Sequence, residues 1–338
     1  MLEVIIPAYN AHETIDTPLA SLAMQKARHN ILVTIVDDCS DEPYDDIVAR
    51  YRGLLAIRIL STYRNCGAGM ARNVGIYNAA GDYLTFLDAD DAFSTPLALS
   101  SVISECEKKS PDIFMAKAIQ ECDNATLVKM DFNSTWIHAK FYRTQFLKEN
   151  KLYFPPFRYN EDSAFCTLTQ GTTESSKILQ LDYDIYTWMN NKKSTVRAGK
   201  DYFSEHIDDF VRGRIWSQKQ LLARNKINSA ANDAVSSLVT LYYMGVDIEN
   251  GAKEVYDVFR DLIYEYLQLL DLPLLLQNKD FVKQLSTNYL RYKFSPRYQR
   301  DDLIYFPRIG IIGWYEEILK RGAQNELDRK NQAGNGID

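Results

Sequence analysis

The sequence has little cysteine and no long apolar run. Its five cysteines are scattered over 338 residues without CxxC spacing, which argues against a disulfide framework or a zinc site and is typical of reduced thiols in a cytosolic protein. No apolar stretch approaches the roughly 20 residues that span a bilayer. Met1 leads directly into the apolar run Val4-Ile5-Ile6, so we expect no signal peptide. The expected location is the cytoplasm (a host cytoplasm if a phage encodes the chain), and peripheral attachment to a membrane stays open.

An excess of basic residues is absent as well. The chain has 39 Lys and Arg against 45 Asp and Glu, a formal net charge of -6. This excludes a basic coat for nucleic acid or anionic membrane over the whole surface, although a local basic patch stays open. The hydrophobic share of 46% and the charged share of 25% are those of an ordinary globular protein. The length favours about two domains.

Two well-known nucleotide-binding motifs are missing. The turn after the first predicted strand reads Pro7-Ala8-Tyr9-Asn10, without the GxGxxG of dinucleotide-binding proteins. The glycine-containing segment Asn65–Met70 follows the third predicted strand, and the chain has no GxxxxGK[ST] phosphate loop. These absences disfavour a Rossmann dehydrogenase and phosphoryl transfer on a P-loop.

Short apolar runs alternate with segments of helical spacing over the first 120 residues. This alternation predicts an α/β fold with a mostly parallel, doubly wound sheet flanked by helices. In such a sheet the ligand lies beyond the carboxyl ends of the strands. The predicted strands are Glu3–Pro7, Ile31–Asp37, Leu54–Leu60, Tyr83–Asp88 and Ile113–Ile119.

The pattern becomes mixed after about residue 136 and mostly helical after Gly199. We predict a first domain over residues 1–199. A helical domain over 200–325 and a disordered polar tail over 326–338 follow. Further predicted elements are a helix over Lys140–Glu149, a helix from Glu161 and a strand over Ile178–Trp188.

Carboxylates cluster where the fourth predicted strand ends. Asp88-Ala89-Asp90 is a DXD motif, and Asp91 follows it. Residues i and i+2 of an extended segment point the same way, and so much negative charge favours a cation such as Mg²⁺ or Mn²⁺. A helix N-cap is the alternative, but a cap accounts for one aspartate and not for three.

Asp37-Asp38 end the second predicted strand in the same way. One interpretation is that these carboxylates accept N–H or O–H bonds from a nucleobase or ribose. The alternative is a helix cap followed by a turn.

Several segments occur together in one order and resemble the inverting family 2 glycosyltransferases, which have the GT-A fold of the nucleotide-diphospho-sugar transferases. The resemblance covers about residues 1–197 and implies metal-dependent transfer of a hexose or pentose from a nucleoside-diphosphate sugar. UDP is the expected nucleotide, and Mn²⁺ or Mg²⁺ is the expected cofactor. The resemblance also implies that the donor site lies in residues 1–120 and the acceptor and base region in residues 121–199. The segments that carry it are IIPAYN, VDDCSDE, RNCGAGMARNVGI, GDYLTFLDADD, KFYRTQFLKENKLYF and NEDSAF.

The resemblance also implies roles for individual residues. Asp162 matches the catalytic base of the family, with Glu161 beside it, and Asp90 together with Asp88 would hold the divalent metal on the donor diphosphate. The implied donor nucleotide site consists of Pro7, Ala8, Tyr9, Asp37, Asp38, Arg72, Asn73, Asp88 and Ala89.

The sequence departs from the family pattern at three places. Asn160 stands where a glycine often precedes the acidic pair, and His138 stands where a tryptophan is common; His138 either contacts the acceptor or only packs. The family often has a histidine or arginine for the metal or diphosphate after the strand that ends at Trp188, where this chain reads NNKKS. Lys192, Lys193 and Arg197 are therefore candidate diphosphate contacts, the alternative being a solvated loop.

Candidate acceptor contacts lie in the second half of the chain. Residues 288–300 interleave basic and aromatic residues without an acid, a pattern that can grip phosphates and stack bases or that can belong to an amphipathic helix. Arg291, Lys293 and Arg297 are candidate acceptor contacts on the first interpretation. The expected acceptor is a saccharide or a lipid-linked glycan, and a first alternative is hydroxymethylated bases of phage-type DNA. A second alternative is an inactive binding module that keeps the nucleotide-sugar fold without turnover.

Overall fold

A computed structural model describes residues 1–191, 206–249, 253–293 and 310–334. The chain divides into two compact units, Met1–Tyr202 and Phe203–Asp338. The domain boundary that the sequence predicts at residue 199 lies outside the described residues.

The first unit is an α/β domain built on one sheet. Its helices are α1 Asp16–Ala23, α2 Asp45–Tyr51, α3 Ala68–Asn78, α4 Ala98–Lys109, α5 Thr144–Glu149 and α6 Glu161–Thr172, with single 3-10 turns at Arg28–Asn30, Asp123–Ala125 and Ser175–Lys177. Its strands are β1 Leu2–Ala8, β2 Ile31–Asp37, β3 Ala56–Ser61, β4 Tyr83–Phe86, β5 Ala92–Phe93, β6 Ile113–Glu121, β7 Leu127–Met130, β8 Lys140–Arg143 and β9 Ile178–Trp188.

The sheet is parallel on one side and mixed on the other. Its order is β3-β2-β1-β4-β8-β6-β9-β5, with β7 paired to β6. The first four strands are parallel, and Val4 of β1 pairs with Val33 on one side and Thr85 on the other. All seven residues of β1 are buried, as expected for a central parallel strand covered on both faces. The predicted α/β class is confirmed.

The mixed half brings distant parts of the chain to one edge. β8 runs antiparallel to both β4 and β6, while β9 runs parallel to β6 and antiparallel to β5. β6 and β9 therefore point the same way as β4. The carboxyl ends of β1, β2, β3, β4, β6 and β9 lie at one edge, and the chain enters β8 from this edge too. Loops that are far apart in sequence meet there.

One predicted helix is partly wrong. Residues Lys140–Arg143, which we predict as the first turn of a helix, form β8. Phe141 and Tyr142 are fully buried, and the Thr85 hydroxyl donates to the Lys140 carbonyl oxygen at 2.7 Å. Pairing with β4 and β6 overrides the helical spacing, and the helix begins at Thr144.

Close packing holds α3 against the sheet. A Cβ on Gly75 would lie 2.5 Å from the Ile5 side chain, so only glycine lets the helix approach β1 this closely. This approach fixes the start of α3, which carries Arg72, relative to the strand ends.

The second unit is helical over its described residues. Its buried core includes Leu238, Tyr266 and Trp314. Its last helix reaches Gly334, so residues 326–334 are helical where we predict a frayed tail, while 335–338 lie outside the described residues. Across the described parts of both units, no helix is long and apolar enough to cross a bilayer. The helices are α7 Ile207–Ala223, α8 Ile227–Glu249, α9 Lys253–Leu270, α10 Leu272–Leu275, α11 Lys279–Lys293 and α12 Ile311–Gly334.

Candidate active site

The loops after β1 and β2 are tied to each other at the carboxyl edge. The Asn10 amide group donates to Asp41 Oδ2 at 2.8 Å, and the Asp41 backbone amide donates to Asn10 Oδ1 at 2.9 Å. The Asn10 backbone amide donates to Ser40 Oγ, and the Ala11 amide donates to the Tyr44 hydroxyl, each at 2.9 Å. These cross-loop bonds form a rigid rim before any ligand arrives.

The residues predicted to line the nucleobase pocket lie along this rim. Pro7 and Ala8 are the buried last residues of β1, whereas the Tyr9 side chain is 51% exposed. Asp37 ends β2 half-buried, and its Oδ1 accepts the Ser40 amide at 2.9 Å. Tyr9 and Asp37 therefore present an aromatic ring and a carboxylate at the ends of adjacent strands.

Asp38 holds the loop that follows β3. It is 3% exposed, and its carboxylate accepts the Thr62 hydroxyl at 2.8 Å, the Cys66 amide at 3.0 Å and the Gly67 amide at 2.7 Å. With its acceptor sites directed at the protein, Asp38 shapes the glycine-containing turn that leads into α3. Asp38, which the resemblance implies in the donor nucleotide site, thus bonds the protein itself through both carboxylate oxygens.

Arg72 on α3 joins two parts of the site. The guanidinium is 4% exposed and donates to Asp88 Oδ1 at 2.8 Å and to Glu161 Oε1 at 2.9 Å. It also lies over the Phe154 ring, 5.4 Å from its centroid. Asn73, which we predict in the donor pocket, exchanges two hydrogen bonds with the Phe154 backbone instead. Arg72 thus connects the strand-end carboxylates to the start of α6.

The carboxylates after β4 continue into a buried polar network. His138 Nε2 lies 3.4 Å from Asp88 Oδ2, and the His138 ring stacks on Tyr186 with centroids 4.7 Å apart. The Tyr186 hydroxyl donates to Asp91 Oδ2 at 2.5 Å, and the Met189 amide donates to Asp91 Oδ1 at 2.8 Å. Asp91 is therefore buried and already accepts two protein hydrogen bonds.

Asp90 lies at the more accessible side of the cluster. Its carboxylate is half-buried, and Oδ2 accepts the Asn191 side-chain amide at 2.8 Å. Ala89, between the two aspartates of the motif, is half-buried too. Asn191 is one of the residues at which the sequence departs from the family pattern, and it contacts the predicted metal ligand Asp90 directly.

The electrostatics of the cluster differ from one carboxyl to the next. Burial favours the neutral acid at Asp88, but the charge of Arg72 and the bond to His138 hold the pKa of Asp88 below its usual range. Burial and then the negative charge of Asp88 raise the pKa of Asp91 to about 7, and the same two causes raise the pKa of Asp90. Arg72 pairs with Asp88, and Asp90 and Asp91 add two further carboxyls next to it, a concentration of acidic groups whose charge a cation would stabilise.

The donor set is compatible with a divalent metal ion. Ligand atoms of Asp88, Asp91 and His138 lie within 4.8 Å of one another. Asp91 is 1% exposed and doubly hydrogen-bonded, whereas Asp88 and Asp90 are half-buried. Asp90, which we predict as a metal ligand, does not belong to this set of three; it is half-buried, and its Oδ2 accepts the Asn191 amide group at 2.8 Å. Hard oxygen ligands of this kind suit Mg²⁺ and Mn²⁺.

The acidic pair opens α6 at the same site. Asn160 before it has φ 58°, the left-handed conformation that asparagine tolerates well, and Asp162 Oδ1 accepts the Ser163 amide at 2.7 Å. Burial, and then Asp162, raise the pKa of Glu161 to about 7 against the pull of Arg72. A Cβ on Gly69 would lie 2.7 Å from Glu161 Cγ, so α3 and α6 touch at this point.

Several predicted contacts have no described geometry. Arg291 and Lys293 end α11 of the second unit, and only their backbone is described. The predicted diphosphate contacts and one predicted acceptor contact lie outside the described residues: Lys192, Lys193, Arg197 and Arg297.

Sequence reasoning missed the aromatic side of the site. Tyr186 bonds Asp91 and stacks on His138, while Trp136 and Trp188 pack beside His138, with their ring centroids 6.0 and 5.8 Å from the imidazole. The run YTW at the end of β9 was the available signal, but aromatic residues in a strand are more often core than site. His138, for which the sequence leaves an acceptor contact and simple packing open, lies against Asp88 of the predicted donor site.

The fold is of a known type. The chain resembles a crystal structure of Staphylococcus aureus TarS residues 1–349 in complex with UDP-GlcNAc, with a TM-score of 0.65 and 21% identity over 86% of this chain and 91% of that one. This match confirms the GT-A fold, with its mixed sheet, flanking helices and helical C-terminal region.

Residues 3–159 match the model of the family described as Glycosyl transferase family 2, which identifies a family 2 glycosyltransferase domain in this part of the chain. It is 30% identical over 178 residues to the poly(ribitol-phosphate) beta-N-acetylglucosaminyltransferase TarS of Staphylococcus aureus, covering 48% of this chain and 31% of that protein. It is 28% identical over 202 residues to the poly(ribitol-phosphate) beta-glucosyltransferase of Bacillus spizizenii, covering 55% and 32%. The chain spans about a third of the length of these curated relatives.

Proposed function

We propose that this protein transfers a sugar from a UDP-sugar to a hydroxyl of a cell-surface glycopolymer, with inversion at the anomeric carbon and with Mn²⁺ or Mg²⁺ as the cofactor. One observation carries the proposal. The buried Arg72 guanidinium joins Asp88 of the DXD motif to Glu161, the neighbour of Asp162, at 2.8 and 2.9 Å. This link supports a single site that combines a carboxylate cluster for a metal ion with a separate carboxylate for proton transfer.

The names of the relatives support the choice of donor and acceptor. TarS was crystallised with UDP-GlcNAc, and two relatives are named as poly(ribitol-phosphate) transferases of different sugars, N-acetylglucosamine and glucose. The acceptor class is shared while the sugar differs, so an anionic polyol-phosphate polymer is the first acceptor to test.

In the proposed reaction, Asp162 takes the proton of the acceptor hydroxyl while the oxygen forms its bond to the anomeric carbon. The bond from that carbon to the diphosphate oxygen breaks, and UDP leaves with the electron pair. The charge of Arg72 keeps Asp88 ionised and orients Glu161 at the start of α6. Asp38 holds the turn before α3 through its bonds to Thr62, Cys66 and Gly67. This turn is part of the proposed nucleotide site.

We propose that Asp88 and Asp90 would hold the metal; Asp88 is also one of three residues, with Asp91 and His138, whose ligand atoms lie within 4.8 Å of one another. When bound, such a metal would act as a Lewis acid that neutralises the charge developing on the leaving diphosphate. The excess of carboxylates over cations at this place supports that assignment.

Thermal unfolding with a panel of nucleoside diphosphates, each with and without Mn²⁺, tests the donor site without any acceptor. We expect UDP with Mn²⁺ to stabilise the protein by about 2.7 kcal/mol at a concentration of 100 Kd. Stabilisation by no nucleotide would overturn the proposal and favour an inactive binding module.

Transfer itself is tested with labelled UDP-GlcNAc and UDP-glucose on a ribitol-phosphate oligomer, on a saccharide and on DNA with hydroxymethylated bases. We expect label on the oligomer, and NMR of the product then gives the anomeric configuration. If only the DNA becomes labelled, the acceptor is DNA and not the proposed polymer. A product that retains the anomeric configuration of the donor would overturn the proposed inversion.

A further inference from the structure

Two tryptophans border the carboxylate cluster. Trp136 and Trp188, which we call the tryptophan pair, are both half-buried, and their ring centroids lie 5.4 Å apart at an interplanar angle of 67°. Both contact the ring of His138, whose Nε2 lies 3.4 Å from Asp88 Oδ2. Part of each indole therefore stays accessible one side chain away from the predicted metal ligands.

Buried groups fix the backbone of each tryptophan. The Trp136 carbonyl oxygen accepts the ammonium of Lys140, which is 1% exposed, and the Cys166 thiol at 3.5 Å. At Trp188 the next amide, that of Met189, donates to Asp91. These bonds fix the main chain that carries the two indoles, and the rings themselves pack on each other and on His138.

The position of the pair follows from the strand order. Trp188 is the last residue of β9, and Trp136 precedes β8, so both lie at the edge where the chain leaves β4 with its DXD motif. Large flat rings left partly exposed at this edge differ from the fully buried aromatic core of the same unit, such as Phe114 and Phe141. A ligand that offers one flat apolar face and polar edges would cover them while its polar groups meet the carboxylates.

We propose that the tryptophan pair is a stacking platform for a pyranose ring. A pyranose has a face of C–H groups that packs on an indole and a rim of hydroxyls that hydrogen-bonds to neighbouring polar groups. The inference rests on the proposed function and deepens it, because it assigns the sugar-binding surface of that site. The ring belongs either to the sugar of the donor or to a sugar of the acceptor.

Calorimetry on four variants of the full chain tests the platform. Trp136→Ala and Trp188→Ala remove the indoles, Trp188→Phe keeps a flat ring, and Tyr183→Ala removes a 56% exposed aromatic side chain of β9 outside the pair. The probes are UDP and UDP-GlcNAc, each with Mn²⁺, and chitotetraose as a free oligosaccharide. Tm measurements establish that each variant is folded.

Either of two results supports the proposal. If the pair holds the sugar of the donor, the alanine variants bind UDP-GlcNAc about tenfold more weakly and bind UDP as the wild type does. If it holds an acceptor sugar, both nucleotides bind normally, and chitotetraose binds about tenfold more weakly. In either case Trp188→Phe restores part of the affinity, and Tyr183→Ala binds like the wild type.

Three results would overturn the proposal: unchanged affinity for all probes in folded alanine variants, equal weakening of UDP and UDP-GlcNAc, or the same loss in Tyr183→Ala. Failure of the proposed function has a different signature, because then the wild type binds neither nucleotide. In that case tryptophan fluorescence with chitotetraose still decides about the platform. A change that Trp188→Ala abolishes supports it, and no change overturns it.

Discussion

The parallel half of the sheet, β3-β2-β1-β4, and the mixed half, β8-β6-β9-β5, hold their polar side chains in different ways. In the parallel half Asp38 accepts two backbone amides and a hydroxyl, and Asn10 ties two loops together. In the mixed half His138 and Tyr186 stack on each other and contact the carboxylates of Asp88 and Asp91. The first arrangement shapes loops, and the second concentrates charge and aromatic rings. We therefore expect the parallel half to govern nucleotide affinity and the mixed half to govern chemistry.

The largest effect that this comparison predicts is at Asp162 on α6, which the chain enters from the mixed half. Asp162→Asn removes the acceptor of the hydroxyl proton, so the rate of transfer should fall by about 10²–10⁴-fold. UDP affinity should stay unchanged, because a side-chain amide at this position would not alter the loops of the parallel half. Rapid-quench transfer assays and calorimetry with UDP measure the two quantities.

Glu174→Gln, at an exposed position just past the end of the same helix, is the matched control and should leave both unchanged. Normal turnover in Asp162→Asn would show that another residue is the catalytic base.

The second prediction separates the neighbouring acids Asp90 and Asp91. Asp90→Asn should abolish the Mn²⁺-dependent part of the stabilisation by UDP. Asp91→Asn should keep it but lower the free energy of unfolding by about 1–3 kcal/mol, because an amide cannot accept both the Tyr186 hydroxyl and the Met189 amide. Thermal and urea unfolding with and without Mn²⁺ measure these effects.

The reverse result, in which only Asp91→Asn loses the Mn²⁺ dependence, would make Asp88, Asp91 and His138 the ligand set. It would also place the metal deeper in the mixed half than we propose.

A third prediction tests the parallel half alone. Asp38→Ala leaves the Thr62 hydroxyl and the Cys66 and Gly67 amides without their acceptor, so the free energy of unfolding should fall by about 1–3 kcal/mol. UDP affinity should fall too, because the turn into α3 loses its shape. Urea unfolding and calorimetry measure both.

Asp82→Ala is the control: that side chain is 80% exposed and makes only a surface ion pair with the Met1 amino group, so its loss should change the free energy of unfolding by less than about 1 kcal/mol. Unchanged UDP affinity in Asp38→Ala would mean that the turn leading into α3 does not contribute to nucleotide binding.

The smallest predicted effect is a pH dependence of the free energy of unfolding, caused by Glu161 at the start of α6. Glu161 has a pKa raised from 4.5 to about 7, so between these values the folded state holds a proton that the unfolded state has released. Its contribution to the free energy of unfolding therefore decreases, by an amount on the order of 1 kcal/mol, as pH rises through this window. Urea unfolding of wild type and Glu161→Gln at pH 5, 6, 7 and 8 measures the difference.

In Glu161→Gln, the free energy of unfolding should decrease less over this pH window than in the wild type, by an amount on the order of 1 kcal/mol. A wild-type profile that rises relative to the variant over this window would mean that Arg72 keeps Glu161 ionised throughout.

Much of the parallel half was predictable from the sequence. β1 and β2 are nearly continuous apolar runs because both faces of a parallel strand are covered, and the predicted strands Glu3–Pro7 and Ile31–Asp37 match them closely. The mixed half was less predictable. β5 and β7 are short, and β8 passes into α5 without a turn residue, so Lys140–Arg143 reads as helix.

The sequence by itself determined the α/β class, the acidic strand ends and the segments that resemble family 2, because each depends on residues close together in the chain. Only the tertiary structure decided that Asp38 faces backbone amides, that Arg72 joins Asp88 to Glu161, and that two tryptophans lie beside His138. Those contacts join residues far apart along the chain, and strand order, which local patterns do not encode, sets which of them meet.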